Sequence, residues 1–572
     1  MSALADPFEA RRAAGASGLL REFNDIGVLS AADVHVARRL CELVGEESES
    51  VLLAVALAVR GPRLGHVFVD LATISDTASV ESDEPVDLSG LPWPSVAEWL
   101  DTLAGSALVA LGEDGDSVDA RPLRLLGTRL YLDRYWREER SLAADLNDMT
   151  ASGRLEVIAG GPGTGKTTWV AHLVARLISD ATAAGARPPL IALAAPTGKA
   201  AARLQEAVYE QVAAGTGLQA ATLHRLLGWR PRSHSRFAHD RGNRLPHDVV
   251  IVDETSMVSL SLMARLVEAV RPDARLVLVG DPGQLASIEA GVVLADIVAA
   301  GRGVHVLEHV HRFGEGIARL ADAVRRGDPD AAVAALGAAP DEITWIATDV
   351  HESEAGLELV RDRAVSAGLS VADAAQRGAA LEALGALGRF RLLCAHRRGP
   401  YGVSDWTSRV VGWLSREVPE LDVEQRDYVG RPLLVTENDY ELGLYNGDTG
   451  VIVEGPGERP AAAFERGGEV LRFSSLRLSA VETVYAMTIH KSQGSQFDTA
   501  AVLLPPASSR ILTRELLYTA VTRARRELIL VGTEDAVRSA VARPVARASG
   551  LADRLSRGSA QRAKPPAGRC SP

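Results

Sequence analysis

Lysine is nearly missing from this chain. Of 572 residues, four are lysines (Lys166, Lys199, Lys491 and Lys564), against 58 arginines. Beside heavy Ala, Gly and Val use, that ratio has the mark of a GC-rich coding bias, so the places where lysine survives are informative. Cysteine is as scarce. Cys41, Cys394 and Cys570 are scattered, which excludes a paired disulfide framework and fits a reducing compartment. Without a CxxC or a Cys/His cluster, a structural zinc site is excluded as well. The longest early apolar run, VLLAVALAV (51–59), is half of the roughly 20 residues a membrane span needs and reads as a buried helix. The opening MSALADPFEARRAAG has no apolar signal core. A soluble, cytoplasmic chain with no membrane partner is expected.

The net charge is −12, and it is placed unevenly. Residues 1–150 hold 13 Arg, no Lys and 26 Asp+Glu, a net of −13, so the remaining 422 residues are close to neutral. An acidic chain is a poor candidate for wholesale nucleic-acid wrapping, but local basic tracks remain open to the near-neutral part.

Apolar patterning divides the chain. Residues 1–140 read as helical, with ADVHVARRLCELV (32–44) and LPWPSVAEWLDTL (91–103) at helical spacing and acidic loops at 81–87 and 112–117. From 154, continuous apolar runs recur at βα spacing: RLEVIA (154–159), LIALAA (190–195), DVVIVD (248–253) and RLVLVG (275–280). A second series follows in FRLLCAH (390–396), TAAVLLP (499–505) and ELILVG (527–532). Such runs mark parallel strands covered on both faces, which predicts an α/β fold of two lobes, at 141–330 and 331–545. An Ala-rich helical stretch joins them. Residues 427–480 alternate like a small antiparallel β insertion, with a turn at Asn446-Gly447. The tail 546–572 is expected to be disordered.

GGPGTGKT (160–167) satisfies the P-loop pattern directly after a strand. Its glycines let backbone N–H groups of Gly160, Gly161, Gly163, Thr164 and Gly165, around Pro162, converge on phosphates. Lys166 then reaches the β/γ-phosphates, Thr167 ligates Mg²⁺ and Thr168 continues the helix start. ATP and Mg²⁺ are the expected cofactors. VVIVDETSM (249–257) puts two carboxylates at a strand end: Asp253 for the metal and Glu254 to take a proton from the attacking water. In LVLVGDPGQLASI (276–288), Gln284 lies where it can contact the γ-phosphate. GWRPRSHSRFAHDRGNRLPH (228–247) mixes five arginines with Trp229 and Phe237, which suits either a nucleic-acid track or a solvated loop.

The order GGPGTGKTT, LAAPTGKAAARL (193–204), ATLHRLLG (221–228), VDETSM, VGDPGQLASI, HRFGEGIARLA (311–321), AMTIHKSQGSQFD (486–498) and LLYTAVTRARREL (516–528) resembles the motif series of superfamily 1B helicases. With VRGPRLGHVFVDL (59–71) and YLDRYWREE (131–139), it is most similar to the RecD family, the alpha subunits of RecBCD (exonuclease V) complexes. The resemblance implies two RecA-like P-loop lobes, a helical N-terminal domain, an SH3-like insertion in the second lobe, and 5′-to-3′ movement on single-stranded DNA. It also implies RecB-like and RecC-like partners in a heterotrimer acting in double-strand break repair. Residue by residue, it makes Arg312 and Arg523 arginine fingers, places Tyr518 near the nucleotide, and assigns DNA contacts to Thr197, Lys199, Thr222, His224, Thr488, His490, Lys491, Ser492 and Gln493. The chain departs from the family pattern in having no Gln between Tyr131 and the P-loop to read adenine, Gly283 in GDPGQL, and Thr407 where asparagine is usual. The residues two before the four lysines (Thr164, Thr197, Ile489 and Arg562) are not acidic, so a restriction-type nuclease site is excluded and any cleavage belongs to a partner. Two other readings stay open: a nucleotide-binding structural subunit that does not translocate, and a stand-alone helicase of the same superfamily.

Overall fold

The computed structural model describes residues 12–80, 88–113, 121–212, 217–230, 237–287, 289–301, 303–307, 314–351, 356–418, 421–422, 425–439, 441–455, 459–466 and 468–562, the side chains only as far as 557. Both expected acidic loops, at 81–87 and most of 112–117, lie outside these residues, as do Arg312 and the Arg232–Arg236 part of the basic segment.

The N-terminal unit is built on helices Gly18–Asp25, Ala31–Val44, Glu49–Arg63 and Val96–Gly105. Ser30 and Asp33 form a reciprocal capping box that starts the second of them. The apolar run 51–59 lies inside Glu49–Arg63, with Val51 and Leu53 to Ala58 buried. A four-stranded sheet joins these helices, in the order Phe68–Asp70, Arg129–Leu132, Leu123–Leu126, Val109–Leu111. Strands of three or four residues are too short for their alternation to register in sequence. The expected boundary at 140/141 falls inside one helix, Asp133–Ala151. That helix puts Trp136, Leu142, Leu146 and Met149 into the core of the first lobe, so the N-terminal unit ends at Leu132.

The first lobe is a six-stranded parallel sheet, ordered Val304–Leu307, Leu155–Gly160, Arg275–Gly280, Val249–Val252, Ile191–Ala195, Ala220–Thr222. All four strands read from continuous apolar runs are present in its centre. The second lobe is a five-stranded parallel sheet, ordered Ile343–Ile346, Ala524–Val531, Phe497–Leu503, Phe390–Cys394, Ala486–Thr488. Each sheet is flanked by helices on both faces, as parallel pairing requires. The insertion is an antiparallel five-stranded sheet, ordered Glu469–Phe473, Ala461–Arg466, Thr449–Val453, Pro432–Val435, Val481–Thr483. Gly447 takes φ +93° in a turn closed from Asp448 N to Tyr445 O, but the connection between the flanking strands runs from 436 to 448 and is no two-residue hairpin.

The expected disordered tail is corrected over most of its length. Leu551–Arg562 is a helix whose Leu551 and Leu555 are buried in the first lobe's core. Two leucines four apart place one apolar stripe on a segment whose Arg, Ser and Gly content hides it. Residues 563–572 lie outside the described residues. Among the described residues, no helix is long and apolar enough to cross a membrane.

Candidate active site

The strand Leu155–Gly160 delivers the P-loop, and Gly163 and Gly165 turn it at φ +82° and +80° into the helix Lys166–Ala183. Left-handed backbone at two adjoining turns is what lets amide groups point inward, and only glycine adopts it without cost. Thr164 Oγ1 donates to Gly161 O at 2.9 Å, and Lys166 Nζ donates to Gly160 O and Gly161 O, both at 2.7 Å. The lysine is therefore folded back under the loop it serves. Thr168 is exposed on the first helical turn.

Thr167 Oγ1 donates to Asp253 Oδ2 at 3.1 Å. A hydroxyl and a carboxylate so placed are hard oxygen ligands of the kind a small divalent cation takes. Asp253 is 5% exposed; burial, and then the Glu254 carboxylate, push its pKa up to about 6 against the pull of Lys166 and Thr167. Glu254 is the only non-glycine among the described residues with positive φ, +52°. Such a conformation costs roughly 1–2 kcal/mol, held here at the residue that follows the strand end carrying Asp253.

Gln284 donates from Nε2 to Asp281 Oδ2 at 3.0 Å, and Gly283 N donates to Asp281 Oδ1 at 3.0 Å. Burial raises the Asp281 pKa, and burial followed by Asp281 itself raises that of Tyr518. Tyr518 comes from the second lobe, yet its hydroxyl lies 3.0 Å from where a Cβ on Gly161 would stand. That approach accounts for glycine at 161, and it also brings the tyrosine within reach of a nucleotide on the P-loop. Gly283 faces the same ring.

Arg523 is 3% exposed and donates to Thr519 O, Ser495 O and Thr522 Oγ1. Burial lowers its pKa, while Glu254, Asp281 and Tyr518 raise it, so its charge faces the acids of the opposite lobe. Between the lobes lies a cleft of about 630 Å³, lined by Gly160 to Pro162, Thr164 and Asp281 on one side and by Asp322, Arg325, Tyr518 and Thr522 on the other. Asp322 and Arg325 belong to the second side because the helix Glu315–Arg326 packs its Ile317, Leu320 and Val324 into the second lobe's core, which moves the expected boundary at 330 to before that helix. The structure thus brings together every P-loop residue, Asp253, Glu254, Gln284, Tyr518 and Arg523. Asp281 and Arg325 were missed in sequence. Asp281 stood inside a quoted motif, whereas nothing in ARLADAVRR separates Arg325 from a surface arginine.

The residues assigned to DNA divide. Thr197 and Thr222 cap helices, accepting from Ala200 N and Arg225 N. Lys199 Nζ donates to Ser495 Oγ at 2.8 Å. Thr488 accepts from Lys491 N, and the Lys491 ammonium meets Glu482 at 3.2 Å on an exposed edge. Burial, then Arg547 and Arg397, lower the His490 pKa to about 4, which keeps its ring neutral. Gln493 Nε2 donates to Leu285 O of the first lobe at 2.7 Å. Ser492 is fully buried and donates to Ile489 O, which removes its hydroxyl from any surface a strand can reach and corrects its assignment. In the basic segment, Phe237 is buried against His224, Arg241 pairs with Asp145 and Arg244 donates to Val270 O. Two of the five arginines are therefore engaged within the fold.

Three family models match the chain: the RecBCD enzyme subunit RecD N-terminal domain at 25–131, an AAA domain at 143–348 and a UvrD-like helicase C-terminal domain at 483–531. The RecBCD enzyme subunit RecD of Mycolicibacterium smegmatis is 50% identical over 576 residues, spanning 94% of this chain and 99% of that protein. This chain belongs to the RecD family. Its N-terminal family match stops at the last strand of the N-terminal sheet, where the structure also ends that unit. The counterpart from Mycobacterium tuberculosis is 48% identical across 94% of this chain and 97% of its own length. The ATP-dependent RecD2 DNA helicase of Deinococcus radiodurans is 32% identical, over 72% of this chain and 52% of that protein. Among solved structures, the Pif1 helicase from Candida albicans aligns over 74% of this chain and 98% of that one, with a TM-score of 0.40 and 15% identity.

Proposed function

We propose that this RecD-family chain is an ATP-dependent DNA helicase motor that moves 5′ to 3′ on single-stranded DNA as one subunit of a RecBCD-type helicase–nuclease. The single observation that carries it is the composite cleft. Gly160 to Pro162, Thr164 and Asp281 line it from one lobe and Tyr518 and Thr522 from the other, with Thr167 paired to Asp253 on the P-loop side and the Arg523 charge drawn by Glu254 and Asp281 across the lobes. A triphosphate held on one lobe and sensed by an arginine of the other couples hydrolysis to lobe movement.

Phosphate oxygens are received by the backbone N–H groups of Gly161 and of 163–167, and by Lys166, which swings off the carbonyls of Gly160 and Gly161. Mg²⁺ fits the Thr167–Asp253 pair and, when bound, neutralises phosphate charge. Glu254, aimed by its strained backbone, takes the proton of the attacking water. Gln284 is held by Asp281 beside the γ-phosphate position. Arg523, prevented from straying by three hydrogen bonds, meets charge that develops as the phosphoryl group leaves.

Lys491 and the turns around Thr197 and Thr488 form the DNA face, which Lys199 joins once its bond to Ser495 is released. The 5′-to-3′ direction rests on the motif series, and partnership rests on the family's subunit naming together with the acidic N-terminal unit. That unit exposes Val36, Leu43, Val44 and Leu111, large apolar side chains among acids, as a docking surface requires. Cleavage belongs to a partner. The test is unwinding of 5′-tailed and 3′-tailed duplexes by the purified chain, alone and with RecB-like and RecC-like subunits. Preference for the 3′ tail would overturn the direction. Failure to co-purify would overturn the assembly and favour a stand-alone helicase.

A further inference from the structure

The segment after the helix Glu534–Ala542 crosses between lobes within a few residues. Arg543 donates to Ala507 O and Ser509 O, and Val545 N to Glu515 Oε2, all in the second lobe. Ser549 Oγ then donates to Asp296 Oδ2 at 2.7 Å, and Gly550 N to Glu139 Oε1 at 2.8 Å, both on the first lobe's side. Between these anchors, Ala548 pairs with the N-terminal unit: Val67 N donates to Ala548 O at 2.7 Å and Ala548 N to His66 Nδ1 at 3.1 Å.

Arg547 sits at the centre of this crossing. Its guanidinium donates to Ser287 O, to Glu289 O at 3.2 Å and to Gly291 O at 3.3 Å. It lies flat on Gly65, where a Cβ would stand 2.8 Å from Arg547 Cζ, and Gly65 O itself accepts from Gly291 N. The other end of the same loop is held by the second lobe: Leu285 N donates to Thr519 Oγ1, and Gln493 Nε2 to Leu285 O. Gln284, one residue earlier, is the group set beside the γ-phosphate position. A loop carrying a hydrolysis residue is thus fixed at one end by Thr519 and Gln493 of the second lobe, and at the other by Gly65 O, Leu260 N and the Arg547 guanidinium, of which Arg547 alone spans three of its carbonyls.

We propose that Arg547 is a positioning residue for ATP hydrolysis. It holds Ser287 and Glu289 to Gly291, and through them Gln284, in register with the second lobe and the N-terminal unit. Lobe movement, or strain arriving from the N-terminal unit, reaches the ATPase site through this junction. Carbonyl acceptors suit the role because a fork of fixed donors spans several of them at once.

The experiment uses full-length chains: wild type, Arg547→Ala, Arg547→Lys and Gly65→Ala. The last sets a methyl against the guanidinium at a position whose φ of +86° also strains any residue but glycine, so it corroborates Arg547→Ala and does not replace it. ATPase is measured with and without oligo-dT, alongside amide exchange at 285–291. The expected result is a roughly ten- to hundredfold fall in DNA-stimulated kcat for Arg547→Ala, the scale a misplaced reacting group shows. KM for ATP stays within about threefold, since the P-loop is untouched. Exchange at 285–291 quickens, Arg547→Lys recovers part of the loss, and Gly65→Ala reproduces it. Stimulated kcat within about twofold of wild type in Arg547→Ala, or an equal loss of kcat and nucleotide affinity, overturns the proposal. The proposal rests on the motor reading, yet the two fail differently. A wild type unresponsive to oligo-dT sinks the motor, and a responsive wild type with indifferent variants sinks only the role of Arg547.

Discussion

Lys199 Nζ donates to Ser495 Oγ at 2.8 Å, and that bond joins the first turn of Gly198–Gln211 in one lobe to the glycine-flanked loop of the other. A lysine expected to meet DNA phosphate is, in this state, an interlobe fastener. Burial, then Arg203, lower its pKa to about 8, with Asp448 opposing them. Its folded pKa is below its unfolded one, so between about 8 and 10.5 the unfolded chain binds more protons and stability rises with pH. Thermal melts of wild type and Lys199→Met at pH 7.5 and pH 9.5 are expected to shift in favour of the wild type at the higher pH. A difference that stays constant contradicts the lowered pKa.

Lys166→Gln is expected to reduce ATP turnover by on the order of 10²–10³-fold or more, as loss of a preorganised charge contact does. DNA binding, measured by anisotropy of a labelled oligonucleotide, should be unchanged. Retained turnover would return the chain to a structural, non-translocating role.

Glu254 invites a pair of substitutions with opposite effects. Glu254→Gly relieves the left-handed strain and is expected to stabilise the first lobe by about 1 kcal/mol in urea unfolding, while hydrolysis falls about 10²–10⁴-fold. Glu254→Gln keeps the strain and loses the same activity. A Glu254→Gly protein no more stable than Glu254→Gln shows that the backbone is not strained there.

Neighbours in one motif should behave differently. Lys491→Ala is expected to weaken single-strand binding, with a shallower salt dependence. Ser492→Ala should leave affinity within about twofold, because its hydroxyl is spent on Ile489 O. A large affinity loss for the serine would mean that this loop opens on DNA.

Leu551→Ala tests whether the segment after the second lobe belongs to the fold. Truncating a fully buried leucine costs about 2–5 kcal/mol. The loss should appear in the first lobe's unfolding transition, followed by amide exchange in 155–160 and 275–280.

Legibility in sequence followed burial on both faces. Ile191–Ala195 and Val249–Val252 are buried throughout and read as strands at sight. The edge strands Ala220–Thr222 and Val304–Leu307 are half-exposed and only three or four residues long, too short for a pattern to separate them from loop. The P-loop and the Asp253–Glu254 pair were legible because their chemistry is local: a turn, a cap, a strand end. Asp281 was not, since its value depends on Tyr518, which arrives from the other lobe. Ser492 and Lys491 adjoin in one motif, and only the fold turns one inward and the other out.

The first lobe completes its core with Leu551 and Leu555, more than two hundred residues after its last strand at Val304–Leu307. During synthesis its sheet therefore waits for its closing helix. At about 5–20 residues per second, the interval is roughly ten to fifty seconds. Through that interval the helix Asp133–Ala151 lacks the neighbour that Leu551–Arg562 provides. The first lobe's core therefore closes only after the second lobe has been made, and the two cannot mature strictly one after the other.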